Sequence, residues 1–163
     1  MHHILVKELA ESAFAPFGTY FNPADSGPAL MGEAGPVRFY PDRLLCLFEN
    51  SNYVALSQLA LEPRALNITA TEIHAHTEEV FGGFTKDVLF HVGPAGNTTP
   101  DLSRFKVFHL PAGWWARIKR NVWHHAPFVI GAETTMGIVL LPPATYTNDC
   151  YVVELGEAVA IDQ

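Results

Sequence analysis

The amino-acid sequence predicts an all-β fold, a small barrel or sandwich that is preceded by one short helix. Short strand-like runs recur from residue 53 to the C-terminus, and Gly, Pro and Asn residues separate them at regular spacing. A helical pattern is confined to residues 8–18, and the sequence contains no internal repeat. A length of 163 residues is typical of one domain. We therefore expect a single domain that spans residues 1–163.

The order of elements follows from local patterns and turn residues. The segment ELAESAFAPFG at residues 8–18 is predicted to be the helix, closed by Gly18 in a left-handed conformation. Residues 22–36 are rich in Pro, Gly and Ala without periodicity, which predicts a long loop. Strands are predicted at residues 37–40, 44–48, 53–61, 67–76, 87–93, 105–110, 114–117, 124–130, 135–141 and 151–155.

Charge and hydropathy exclude several classes of partner. The net charge is −7 and the basic residues form no stripe, which argues against nucleic-acid binding. No apolar run approaches the roughly 20 residues that a membrane helix requires, so no membrane partner is expected. The N-terminal residues lack the apolar core of a signal peptide, which favours a cytoplasmic location. Cys46 and Cys150 are the only cysteines, and reduced core positions explain them best.

The candidate site is the segment TEIHAHTEEVF at residues 71–81. His74 and His76 lie two residues apart, so on an extended strand both imidazoles point to the same face. Glu78 and Glu79 follow, and Trp123-His124-His125 supplies a third histidine far along the chain. Imidazole and carboxylate together suit zinc, iron, nickel or manganese. The pattern therefore indicates a metal site.

Each of these residues also has a purely structural interpretation. Two histidines on a strand can hydrogen-bond to solvent, and adjacent glutamates are usually solvated turn residues. Because neighbours on a strand point to opposite faces, at most one of His124 and His125 faces the interior. One of Glu78 and Glu79 is then a surface carboxylate.

The HxH pair, the following glutamate and the distant Trp-His resemble the two sequence motifs of the cupin superfamily. This resemblance implies a cupin-type double-sheet β-barrel (jelly roll) with a short N-terminal helix. It also implies a divalent metal ion (Ni, Zn, Mn or Fe) that three histidines and one glutamate hold. On this resemblance the metal ligands are His74, His76, Glu79 and His124. Cupins leave three or four residues between the second His and the Glu, so the shorter spacing here keeps Glu78 open as the ligand.

An ordered set of motifs resembles the ureidoglycolate lyase family, whose members are cupin-like. The matching segments are SAFAPFG at residues 12–18, RFYPD at 38–42, EIH at 72–74, RNVWHH at 120–125 and NDC at 148–150. The most specific of them is RNVWHH. This chain departs from the family at two positions, since the family usually carries an apolar residue in place of His76 and Gln in place of Glu79.

The family resemblance implies an enzyme that converts ureidoglycolate to glyoxylate and urea in purine and allantoin breakdown. Its substrate is a small carboxylate, which Arg38 is expected to clamp. Glu78 or His125 is expected to shuttle the proton. The alternatives are a metal-dependent cupin that acts on another small hydroxy, keto or sugar acid, and a cupin that only binds such an acid. Cupins commonly pair through strands, so a homodimer is expected by analogy.

Overall fold

The computed structural model describes residues 2–31, 35–96 and 98–163, and strands dominate it. The helices are short: α1 (Glu11–Phe14), α2 (Thr145–Asn148) and one 3-10 turn (Leu102–Arg104). The strands are β1 (His2–Glu8), β2 (Gly18–Phe21), β3 (Ala55–Leu61), β4 (Asn67–Ile73), β5 (Glu79–Gly82), β6 (Val88–Gly93), β7 (Lys106–Leu110), β8 (Trp115–Ile118), β9 (Trp123–His124), β10 (Phe128–Val129), β11 (Thr135–Leu141) and β12 (Tyr151–Asp162).

The first sheet closes on itself. Its strand order is β10-β6-β7-β1-β12-β4-β9, and β9 also pairs with β6, so six of its strands form a ring. Closure removes the free edges of those strands. β1 lies parallel to both β7 and β12, whereas the remaining pairs of this sheet are antiparallel. An apolar cluster that includes Ile68, Leu89 and Trp123 fills the ring.

The second sheet packs against the outside of that ring. Its order is β2-β8-β5-β11-β3, and every pair within it is antiparallel. Phe81 of β5 meets Phe90 of β6 edge-on, with ring centroids 5.3 Å apart. Phe14 of α1 meets Phe90 and Phe108 in the same way, at 5.6 and 5.3 Å. The helix therefore helps to close the core between the two sheets, with edge-to-face ring contacts typical of buried phenylalanines.

The predicted fold is confirmed: the chain is a cupin-type double-sheet β-barrel with a short N-terminal helix. The strand at residues 135–141 has the predicted bounds, and the strands beginning near 55, 67, 88 and 106 differ by one to three residues at an end. The predicted strand 124–130 is two short strands, β9 and β10, and the last strand extends to Asp162.

Several other predictions differ from the structure. β1, β2 and β5 were not predicted, and the helix is only four residues long. Gly18 is not left-handed. It begins β2, where a Cβ atom would meet the Arg117 carbonyl oxygen at 1.8 Å, so close backbone approach is what requires glycine. The predicted strands 37–40 and 44–48 contain only the single bridges of Phe39 and Phe48. Residues 32–34 of the predicted loop lie outside the described residues.

Within the described ranges, no helix is long and apolar enough to cross a membrane.

Candidate active site

Three strands bring histidine and carboxylate side chains together between the closed ring and the second sheet. Glu72 of β4 pairs directly with His124 of β9, so both side chains lie on the same face. Val92 also pairs with His124, and Val92 belongs to the core between the sheets. Glu79 of β5 points the same way as Phe81, which lines that core from the opposite side. The polar groups therefore converge at one edge of the intersheet core.

The distances within this group are short enough for its side chains to share one metal ion. Glu79 Oε2 lies 3.2 Å from His74 Nε2 and 3.6 Å from His124 Nε2. Glu72, His74 and His124 each offer one ligand atom within 4.8 Å of the other two. His74 and His124 are each only 4% exposed. We call these four residues, Glu72, His74, Glu79 and His124, the inner cluster.

Backbone carbonyl groups orient both imidazole rings. His74 Nδ1 lies 2.7 Å from the Asp149 carbonyl oxygen, and His124 Nδ1 lies 2.8 Å from the Val122 carbonyl oxygen. A carbonyl oxygen only accepts, so Nδ1 carries the donated proton in both rings. In the neutral ring the lone pair is then on Nε2, which faces the carboxylates. Metal-ligating histidines in proteins are usually held in this way.

The electrostatics of the cluster keep its central carboxylate ionised. Burial alone would raise the pKa of Glu79, but the facing His124 and His74 rings outweigh burial and lower that pKa to about 2. Burial likewise lowers the pKa of His124, whereas Glu79 raises it, and the net pKa of His124 is above its ordinary value. A carboxylate must be ionised to bind a metal ion, so Glu79 is ready to serve as a ligand at neutral pH.

The donor set fits a divalent metal ion. His124 Nε2 is buried and has no hydrogen-bond partner among the described residues, because a separation of 3.6 Å from Glu79 is too long for a hydrogen bond. A buried polar atom without a partner is costly, and a metal ion would satisfy it. Two imidazole nitrogens with carboxylate oxygens suit zinc, nickel, manganese or iron. The cluster could thus hold such an ion.

The comparison with known families identifies the family of this chain. A family model described as ureidoglycolate lyase matches residues 1–162 of the 163-residue chain. The chain belongs to the ureidoglycolate lyase family. The resemblance of its motifs is therefore confirmed, and the chain is an enzyme of the lyase type. No curated protein matches the chain.

The structure does not bring His76 to the inner cluster. β4 ends at Ile73, so residues 74–76 do not continue the strand and its alternation of faces. His76 is exposed, while its backbone N–H donates to Asp149 and its carbonyl accepts from the Glu49 N–H. His76, which stands where the family usually carries an apolar residue, therefore lies outside the group of converging ligand atoms.

Glu78 and Glu79 face opposite sides of the second sheet. Glu78 Oε2 lies 3.0 Å from Arg117 Nη1 and accepts the Leu47 N–H at 2.8 Å. The Glu78 N–H in turn donates to the Leu47 carbonyl. Glu78 thus ties the segment before β3 to β8, whereas Glu79 faces the two imidazoles. Alternation along the chain accounts for this division.

The two other residues predicted to act in catalysis are His125 and Arg38. His125 follows β9 and is half-buried. Arg38 is exposed in the long segment between β2 and β3. Neither belongs to the group of ligand atoms that converge within 4.8 Å.

Three residues of the site were missed by the predictions from sequence. Glu72 shares the strand face of His74 by the period of two, and EIH is one of the family-like segments, so its signal was present. Asp149 and Cys150 occur in the family-like NDC segment. Their contacts with residues 72–76 depend on chain folding over more than 70 positions.

A separate open cavity of about 760 Å³ lies between α1, β2 and residues 42–45. Arg43, Arg117 and Lys119 line it, but none of the inner cluster does. No histidine is among the described residues that line it, and Arg117 and Lys119 already bind Glu78 and the Ala15 carbonyl. The inner cluster, which combines two imidazoles with carboxylates, is therefore the candidate active site.

Proposed function

We propose that this chain cleaves ureidoglycolate to glyoxylate and urea, in purine and allantoin breakdown, with a divalent metal ion at the inner cluster. The single observation that carries the proposal is the convergence of two oriented imidazoles and two carboxylates in a chain of this family. Element analysis of protein purified without an added metal would identify the ion among Ni, Zn, Mn and Fe.

The reaction needs one proton acceptor and one proton donor. The hydroxyl group of the carbinol carbon loses its proton, and its C–O bond becomes the carbonyl of glyoxylate. The bond between that carbon and the urea nitrogen breaks, and the nitrogen takes up a proton. No water and no oxidant is consumed. A single group that accepts the first proton and returns it to nitrogen would balance the reaction.

We assign the metal-holding role to His74, Glu79 and His124. Both imidazoles present Nε2, and Glu79 Oε2 lies within 3.6 Å of each. When bound, the ion supplies a positive charge that acidifies the substrate hydroxyl. His76, which the sequence prediction counted as a ligand, is not given this role.

We assign the proton transfer to Glu72. Its carboxylate lies in the same cluster, is half-buried, and is not one of the three groups to which we assign the metal-holding role. The Cys150 thiol donates to Glu72 Oε2 at 3.1 Å, which leaves Oε1 to accept the hydroxyl proton. The proton is then returned from Oε1 to the urea nitrogen as the C–N bond breaks.

Three further residues were predicted to act in catalysis: His125, Arg38 and Glu78. His125 is a second candidate for proton transfer, and Arg38 is a candidate clamp for the substrate carboxylate. The Glu78 carboxylate is paired with Arg117, so we give it a holding role in place of catalysis.

Product analysis of metal-loaded protein tests the proposal. Ureidoglycolate should yield urea and glyoxylate in equal amounts.

Glu72→Gln should abolish most turnover while it retains the metal ion. Glu154→Gln is the matched control, because Glu154 is an exposed carboxylate on neighbouring β12, and this variant should keep both turnover and the metal ion. Loss of metal from Glu72→Gln would make Glu72 a fourth ligand. Metal-loaded protein that neither turns over nor is stabilised by ureidoglycolate would contradict the proposal. Stabilisation by another hydroxy, keto or sugar acid would then favour the alternative substrates.

We also propose a homodimer that pairs through β3. This strand is at the edge of the second sheet, and its seven residues, ALSQLAL, include no charge and no proline that would protect the edge. Leu56 is 70% exposed on it. Light scattering should give twice the chain mass, and Ser57→Pro should give the monomer mass, because proline blocks strand pairing. A monomer in the parent protein would contradict this assembly.

A further inference from the structure

Asp149 makes three hydrogen bonds to three consecutive residues at the inner cluster. Its carboxylate oxygens accept the backbone N–H of Ala75 and of His76, each at 2.9 Å. Its backbone carbonyl accepts from His74 Nδ1 at 2.7 Å. Asp149 is only 8% exposed. One residue thus holds both the ring of His74 and the backbone that follows it.

Cys150, the next residue, contacts Glu72, two residues before His74. Its thiol donates to Glu72 Oε2 at 3.1 Å. The strand register explains why Asp149 and Cys150 contact different residues. β12 begins at Tyr151, which pairs with Ile73 of β4. Residues 149 and 150 therefore lie beside the point where β4 ends and the chain turns.

These contacts are directed at groups whose position decides the chemistry. A buried carboxylate needs partners, and two backbone N–H groups satisfy that of Asp149. The same two bonds hold residues 74–76 in a turn, because they fix N–H groups that a continuing strand would use for pairing. The carbonyl of Asp149 then fixes the rotation of the His74 ring, so that Nε2 faces Glu79 at 3.2 Å.

We propose that Asp149 and Cys150 are positioning residues that set the orientation of His74 and of Glu72. This inference rests on the proposed function, which gives His74 the role of ligand and Glu72 the role of proton acceptor. Asp149 acts on metal affinity through His74. Cys150 acts on turnover through the carboxylate of Glu72.

Asp149→Asn tests the first half by titration calorimetry of chelator-stripped protein with Zn²⁺. The amide retains one acceptor oxygen and turns an NH₂ group toward a backbone N–H, so the turn at residues 74–76 loosens. Affinity for Zn²⁺ should fall about 10–100-fold, the usual effect of removing a group that supports a ligand. Asp87→Asn is the matched control, because Asp87 also holds a backbone N–H (Ala112, 2.8 Å) and a histidine ring (His109, 2.9 Å), outside the inner cluster. Equal affinity in Asp149→Asn and Asp87→Asn would overturn the assignment of Asp149.

Cys150 variants test the second half, and they apply even where Asp149→Asn does not fold. Cys150→Ala should lower kcat about 10-fold while Zn²⁺ affinity is unchanged, and Cys150→Ser should restore kcat because its hydroxyl still donates to Glu72. Equal kcat in Cys150→Ala and the parent, or equal loss in Cys150→Ala and Cys150→Ser, would overturn the assignment of Cys150. A parent protein that binds no Zn²⁺, or a His74→Ala variant that binds it fully, would instead contradict the proposed metal site.

Discussion

The inner cluster differs from a second group of histidine and carboxylate side chains, which lies at the surface of the first sheet. The surface cluster consists of Glu8 on β1, Asp87 before β6 and His109 on β7. His109 Nδ1 lies 3.0 Å from Glu8, and His109 Nε2 lies 2.9 Å from Asp87. Glu8 is 79% exposed, so this cluster is open to solvent on that side.

The partners of Nδ1 decide what each cluster does. In the surface cluster each ring nitrogen of His109 is held by a carboxylate, so Nδ1 faces Glu8 and not a backbone carbonyl. In the inner cluster, backbone carbonyls take the Nδ1 protons of His74 and His124, and both Nε2 atoms face the carboxylates. Residue types alone do not distinguish the two clusters. The identity of the acceptor behind each ring does.

The largest expected effect follows from removing an inner imidazole. His74→Ala or His124→Ala should weaken Zn²⁺ binding more than about 100-fold, because even a residue that only supports a ligand contributes about 10–100-fold. His109→Ala, the matched change in the surface cluster, should leave affinity unchanged. Calorimetry on chelator-stripped protein measures both. Full metal retention by the His74→Ala, His124→Ala double variant would mean that the inner cluster does not hold the metal ion.

A smaller effect separates the adjacent glutamates. Glu79→Gln should weaken Zn²⁺ binding about 10-fold or more, since a neutral amide is a poorer ligand for a divalent ion than a carboxylate. Glu78→Gln should retain the metal ion but lower the free energy of unfolding by about 1–3 kcal/mol, because its charged hydrogen bonds with Arg117 are weakened. Urea unfolding and metal titration of both variants check this. Metal loss from Glu78→Gln would reverse the assignment of the two faces.

Much of the fold follows from local patterns in the sequence, and what was missed depends on distant contacts. Strands such as β6, β7 and β11 have clear apolar runs bounded by turn residues, and their prediction is confirmed. β1 was missed because its sequence, HHILVKE, has no turn signals around it. Its strand pairing comes from β7 and β12, near the middle and the end of the chain.

The sequence also predicted part of the candidate site. The motif segments identified His74, Glu79 and His124, which the structure brings together. The alternation that included His76 assumed a strand through residue 76. Asp149, which is 73 positions further along the chain, binds the N–H of His76 and ends that alternation. A local pattern contains no information on such a contact.

The smallest expected effect is a pH dependence of stability that belongs to the surface cluster. Partial burial lowers the pKa of His109, but Asp87 and Glu8 outweigh it, and the net pKa lies above its ordinary value. A group whose pKa is raised by folding contributes stability in full below its unfolded pKa, near 6.5. That contribution is lost as the pH rises through the higher folded value. Asp87 remains ionised at pH 5.5, because the Ala112 N–H and His109 outweigh its burial and lower its pKa.

His109→Gln should therefore destabilise the protein more at pH 5.5 than at pH 9. The difference should be at most about 1 kcal/mol, because exposed ion pairs are screened by solvent. Urea unfolding of the parent and of His109→Gln at both pH values, with metal removed by a chelator, measures it. Glu8→Gln should show the same sign with a smaller size, since Glu8 is the more exposed of the two partners. An equal cost at both pH values would mean that Glu8 and Asp87 do not raise the pKa of His109. The contrast with the inner cluster would then rest on metal binding alone.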